Sequence, residues 1–141
     1  MHQKQIKIWG PVTGIIGDLI MGLPMLAYYE KKYPDSYKYW VIQKRCSQSA
    51  PLFLNHPLID RVKITDEWDD FGIYDKELIS QCDINAEFSS KGWQHSSPEW
   101  YNSVSSIQET AFMAGITDLA ETLNDDELKP KLYRWFYCIK H

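Results

Sequence analysis

The sequence predicts a single α/β domain built on a Rossmann-like, doubly wound parallel sheet, and three observations predict it. Short β-rich runs alternate with helix-compatible runs along the chain, the pattern of parallel strands joined by right-handed crossovers. A glycine-rich turn, Gly10 to Asp18, links the first strand to the first helix. The length of 141 residues suits one domain, because a chain of that size buries roughly 70% of its unfolded surface.

Gln5 to Trp9 alternates polar and apolar residues and reads as the first strand, ended by Gly10-Pro11 or slightly later. Asp18 to Tyr33 is apolar on nearly every side until Glu30, Lys31 and Lys32, so it reads as a helix covered on two sides, and Pro34 stops it. Pro24 cannot donate a hydrogen bond to Ile20, so this helix should kink there or start anew near Leu23. Tyr37 to Gln43 is the second strand, and Ser47 to Leu54 a short helix despite Pro51. Arg61 to Thr65 is the third strand, Ile73 to Gln81 a helical segment, and Ile84 to Phe88 the fourth strand, bounded by Ser89-Ser90-Lys91-Gly92.

Ser97 as N-cap, Pro98 at the first helical position, then Trp100, Val104, Ile107 and Ala111 at helical spacing, and Gly115 just past the end mark a long helix. An acidic segment, Asn124-Asp125-Asp126-Glu127, and an apolar run, Leu132 to Tyr137, follow.

Composition narrows the function classes. Hydrophobic residues make up 44% and charged residues 24% of the chain, as in ordinary globular proteins. A net charge of -4 leaves no broad cationic footprint, so nucleic acid is not an expected partner. The longest apolar stretch, Leu19 to Tyr29, is too short for a membrane span of ~20 residues, and the N-terminus has no signal-peptide pattern. A cytoplasmic location is expected. Cys46, Cys82 and Cys138 are odd in number and form no Cys-x-x-Cys pair, which suits reduced thiols. His2, His56, His95 and His141 show no metal-ligand spacing, and Asp66-Glu67-Trp68-Asp69-Asp70 suits a solvated, helix-capping loop. No metal or cofactor is expected.

Ligands of doubly wound sheets bind outside the carboxyl ends of the strands, near the point where strand order reverses. That rule selects Gly10 to Asp18, Gln43-Lys44-Arg45, Thr65-Asp66-Glu67 and Ser89 to His95. In the first segment, Gly10-x-x-x-Gly14-x-x-Gly17-Asp18 can either meet an anion with backbone N–H groups or simply make a tight turn, with Asp18 capping the helix. Dinucleotide binding fits poorly, since Gln43-Lys44-Arg45 stands where an acidic residue is wanted. Lys44 and Arg45 can bind phosphate or carboxylate groups or form a solvated surface; Lys91, Trp93 and His95 can grip a sugar or an anion, although Trp93 suits packing equally well.

Gly14-Ile15-Ile16-Gly17-Asp18-Leu19-Ile20-Met21-Gly22-Leu23-Pro24-Met25-Leu26, with Tyr33-Pro34-Asp35 after it, resembles the start of heptosyltransferase-like glycosyltransferases, family nine. Asn55-His56-Pro57-Leu58-Ile59-Asp60-Arg61-Val62, Ala111 to Ile116 and Lys129-Pro130-Lys131-Leu132-Tyr133 are similar to later stretches of that family's N-terminal domain. The resemblance implies a GT-B architecture, in which an N-terminal Rossmann-like domain holds the acceptor and a C-terminal one, absent from this chain, holds the nucleoside-diphosphate sugar.

It also implies that Asp18 is the general base of an inverting transfer to a glycan or lipopolysaccharide-type acceptor, with Gly14 and Gly17 shaping the turn. The carbohydrate acceptor would be the partner, anionic if Lys44 and Arg45 touch it, and the donor would bind only through a second domain or chain. The helix N-terminus is expected to lower the pKa of Asp18. Gly10-Pro11 departs from the family, which often carries an Arg near the end of the first strand. The rival reading is a non-catalytic α/β binding or interaction domain.

Overall fold

The computed structural model describes residues 4–65, 76–88 and 106–133. The expected first strand is built in two collinear pieces, β1 (Lys7–Trp9) and β2 (Pro11–Thr13), both running beside β3 (Tyr37–Gln43). Its third neighbour, β4 (Arg61–Thr65), pairs along the other side of β3 from Tyr39↔Arg61 to Gln43↔Thr65, and β5 (Ile84–Asn85) pairs with β1. All of these pairings are parallel. Taking β1 and β2 as one line, the order across the sheet is β4, β3, β1/β2, β5. Strand order therefore reverses between the first line and β5, which is the switch point of a doubly wound sheet.

Two helices follow β2, α1 (Ile16–Met21) and α2 (Pro24–Lys32), where the apolar pattern suggests one with a kink. The break has the cause the sequence shows. Pro24 has no N–H, and the chain crosses the joint with shorter-range bonds, Leu23 N–H to Ile20 O at 3.2 Å and Met25 N–H to Gly22 O at 3.0 Å. A 3₁₀ helix (Lys44–Leu52) occupies the region expected as an α-helix from Ser47; Pro51 and the non-helical backbone of Cys46 keep it from becoming α-helical.

After β4 come α3 (Lys76–Ser80), then β5, α4 (Ser106–Met113) and α5 (Leu119–Thr122). The expected start of α4 at Ser97-Pro98, and the upper part of its apolar stripe, lie outside the described residues. Its end matches the pattern: Gly115 takes a positive φ of 84°, Ile116 N–H reaches Ala111 O and Gly115 N–H reaches Phe112 O, a Schellman closure.

Strand alternation divides the core between the two faces of the sheet. Ile8, Trp40 and Ile42 point to the side covered by α1, α2, the 3₁₀ helix, α4 and α5, where Leu19, Leu26, Phe53 and Ala111 are buried. Trp9, Tyr39 and Val41 point to the other side, against Leu78 and Ile79 of α3. Helices on both faces of a parallel sheet complete the doubly wound arrangement. Among the described residues no helix is long and apolar enough to cross a membrane.

Candidate active site at the carboxyl edge of the sheet

The end of the first strand line is irregular. Val12 has φ 53°, an uncommon conformation for a β-branched residue, and the register against β3 shifts between Pro11 and Thr13. The chain then turns, Thr13 Oγ1 accepting a hydrogen bond from the Ile15 N–H at 3.2 Å. This short contact closes the turn; on the alternative reading Asp18 would cap the helix that follows. Asp18 instead sits at the third position of α1, and α1 has no side-chain cap at Ile15.

Gly14 is where the ends of two strands meet. A side chain there would collide with the Arg45 side chain and with Gln43 Oε1, 2.6 Å from where its Cβ would lie. A side chain there would displace Arg45 from its place across the turn. The same contact brings the residues after β3 beside the turn after β2, the shared edge that the topology requires. Gly17 meets no neighbour within 4 Å, so the backbone at the start of α1 is open on that side. Ile15 and Ile16 flank it with their side chains largely exposed. Lys44 is exposed at the start of the 3₁₀ helix; Lys91 and Trp93 lie outside the described residues.

Asp18 is half-buried, and among the described residues no hydrogen bond or ion pair reaches its carboxylate. Its pKa is raised, first by loss of hydration and then by the like charge of Glu109 on α4. This reverses the expected lowering. The reason is that α1 has six residues and a correspondingly weak macrodipole, while tertiary packing brings burial and a second carboxylate that no local pattern displays. Glu109 was not singled out from the sequence for the same reason: an acid in a helical run is ordinarily solvated, and only the packing of α4 on α1 gives this one a neighbour.

The position of Asp18 relative to the sheet follows from Gly22, one turn further along. The Phe88 ring, just past β5, lies over Gly22, with Cζ 2.8 Å from where a Cβ would be. Phe88 N–H also donates to Pro11 O at 2.7 Å. The face of α1 that carries Asp18 and Gly22 therefore lies toward the chain that leaves β5, on the side of the switch point.

A cleft of about 140 Å³ lies away from these residues, lined among others by Leu23, His56, Lys129, Lys131 and Tyr133. Burial pushes the His56 pKa down to about 4, and its Nδ1 accepts a hydrogen bond from the Leu58 N–H at 3.1 Å. Its ring meets Tyr133 edge to face at 4.9 Å. Size alone does not make this cleft the active site, because His56 is committed to its loop and the lysines are exposed. Among the described residues no group of three His, Cys, Asp or Glu side chains is placed to hold a metal ion.

No family model matches this chain, and no curated protein matches it in sequence. Among solved structures it is similar to the glycosyl transferase family 9 protein from Veillonella parvula DSM 2008, with 16% identity and a TM-score of 0.47. The match covers 91% of this chain and 42% of that one, so the chain spans less than half the length of that protein.

Proposed function

We propose that this chain is the acceptor-binding half of an inverting, heptosyltransferase-like glycosyltransferase, with Asp18 as its general base. The observation that carries the proposal is a half-buried carboxylate, free of hydrogen bonds to other described residues, on the side of the switch point of a doubly wound sheet. The motif running from Gly14 to Leu26 supports the same reading. An alcohol is a poor nucleophile until its proton is drawn off. In the proposed step Asp18 takes that proton, the acceptor oxygen forms a bond to the anomeric carbon, and the bond to the nucleoside diphosphate breaks, its electron pair leaving with the diphosphate.

Loss of hydration suits the role, because a carboxylate with raised proton affinity is a stronger base than one held by a cap. Arg45 and Lys44 would hold an anionic part of the acceptor, and the open backbone at Gly17 would let its reacting hydroxyl approach. Lys91 and Trp93 would grip a sugar or an anionic group of the acceptor. The donor would be held by a second domain or chain, opposite this edge.

Asp18→Asn in the complete or reconstituted enzyme tests the assignment. The amide keeps the shape but cannot accept the proton, so kcat should fall by roughly 10²-fold or more with acceptor affinity little changed. Near-wild-type turnover would remove Asp18 from the mechanism and favour a non-catalytic binding domain.

A further inference from the structure

Resting on that reading, we propose that Gln43 is a specificity-determining residue of the acceptor site: its neutral amide, beside Arg45 over Gly14, binds the same anionic group as Arg45 and leaves the Arg45 charge to that group. Three observations place it there. First, both side chains reach one point. Gln43 Oε1 lies 2.6 Å from where a Gly14 Cβ would be, and Arg45 Nε and Cγ crowd the same position. The amide and the Arg45 side chain are therefore neighbours across the gap that the missing side chain of Gly14 leaves.

Second, Gln43 is mounted rigidly. It is 4% exposed and ends β3, with β2 paired along one side of that strand and β4 along the other. A polar head on a paired strand holds its position better than one on a loop. Third, this face of the sheet is finished at the carboxyl edge by polar groups. Tyr39, Val41 and Gln43 alternate onto the same face, the first two inside the apolar cluster around Trp9. Thr65, the register partner of Gln43, is 2% exposed, and its buried hydroxyl has no hydrogen-bond partner among the described residues. Buried polar groups are ordinarily paired, so groups left over at this edge call for a role outside packing.

Charge decides what Gln43 does. A guanidinium and an amide together offer several N–H donors to a phosphate or carboxylate, and the amide, being neutral, does not consume the cation. A carboxylate of the same shape at position 43 would pair with Arg45 across Gly14 and repel an anion. The identity of this one side chain thus sets whether the edge accepts an anionic acceptor.

The test is a nitrogen-proton NMR titration of this 141-residue chain with inorganic phosphate, and separately with acetate, at constant ionic strength. It follows the Gln43 side-chain amide and the Arg45 Nε–H, and is repeated on Gln43→Met and Gln43→Glu. In the wild type both signals should saturate with one midpoint, and the tighter of the two probes gives the class of the group. Gln43→Met keeps the shape and the neutrality but loses the donor, so binding should weaken severalfold; Gln43→Glu should weaken it roughly tenfold or more.

A Gln43 signal unmoved while Arg45 saturates would overturn the proposal, as would saturation by neither probe or wild-type binding in a folded Gln43→Glu variant. If the anions bind as expected while Asp18→Asn retains turnover in the complete enzyme, the glycosyltransferase reading fails and the anion site stands. If Asp18→Asn loses turnover and the Gln43 signal stays still, that reading stands and the role of Gln43 falls.

Discussion

At the amino edge of the sheet, charged groups are matched one to another; at the carboxyl edge Asp18, Lys44, Arg45 and Glu109 have no such match among the described residues. Before β1, Lys4 meets Asp83 at 2.8 Å, and Asp83 also accepts the Lys7 N–H at 2.9 Å. Before β3, Gln5 donates to Asp35 O, and the Lys38 N–H donates to Asp60 Oδ2. The Lys38 ammonium, 2% exposed, is buried against Glu30 and donates to Ser36 O at 3.1 Å. One end of the sheet uses its charges to hold strands in register, and under the proposed function the other leaves them to a ligand. If that division is right, substitutions at the two edges should separate stability from activity.

The largest effect on stability is expected at Glu30. Glu30→Ala strands a buried ammonium and also removes the acceptor of the Asp35 N–H at 2.8 Å. Breaking one side of a buried pair costs about 3–5 kcal/mol, and because Glu30 is partly exposed the loss should be near 3 kcal/mol. Burial raises the Glu30 pKa, yet the Asp35 N–H and Lys38 outweigh it and hold the carboxyl below its ordinary value. Its contribution is therefore present at neutral pH and is lost as pH falls through the folded-state value. Urea unfolding across that range checks both points, and a loss under about 1 kcal/mol would mean that the ion pair is not a mainstay of the amino edge.

Asp18 should behave in the opposite way. Because its folded-state pKa is raised, ionisation at neutral pH costs stability, and Asp18→Asn should leave the chain as stable as the wild type or more so, while the proposed kcat loss of roughly 10²-fold would be read in the complete enzyme.

The contrast between the edges also marks what the sequence makes legible. The β-rich runs Tyr37 to Gln43 and Arg61 to Thr65 are bounded by polar and turn residues, and both become strands with those limits. Pro24 announces the break between α1 and α2 because its missing N–H acts locally. The crowding at Gly14 is legible only as a glycine; that Arg45 fills the space is a tertiary fact. Glu109 and the sign of the Asp18 shift are hidden for a stronger reason. Both depend on α4 packing against α1, and residues 91 positions apart in sequence carry no pattern that pairs them.

A smaller effect is expected at the cations. Replacing Lys44 and Arg45 together by Ala should weaken binding of an anionic acceptor roughly tenfold at low salt, about the worth of one charged hydrogen bond. Folding stability should scarcely change, since both residues are exposed. The loss should shrink at high ionic strength, where the attraction is already screened. Calorimetry at two salt concentrations reads this directly. Unchanged affinity at low salt would return both residues to the solvated surface and leave the carboxyl edge without a cationic grip.

The smallest effect belongs to Lys4, the most exposed member of the amino-edge network. Lys4 is 75% exposed and its partner Asp83 is an exposed residue, so the pair is screened and holds a long side chain in place for little return. The hydrogen bond from Lys4 is the first cause that lowers the Asp83 pKa from its ordinary value of 3.8, and the Lys7 N–H is the second. A depressed carboxylate contributes stability above its unfolded pKa and loses it as pH falls through the folded value. Lys4→Ala should therefore lower the neutral-pH melting temperature slightly, and the two proteins should converge toward acid pH and in about 1 M salt, where the screening length is only ~3 Å. Asp83 keeps the Lys7 N–H in the variant, so β1 and β5 should stay in register. A melting temperature that drops as far as in Glu30→Ala would show that the exposed and buried pairs of this edge act as one network, and the burial argument that ranks them would be wrong.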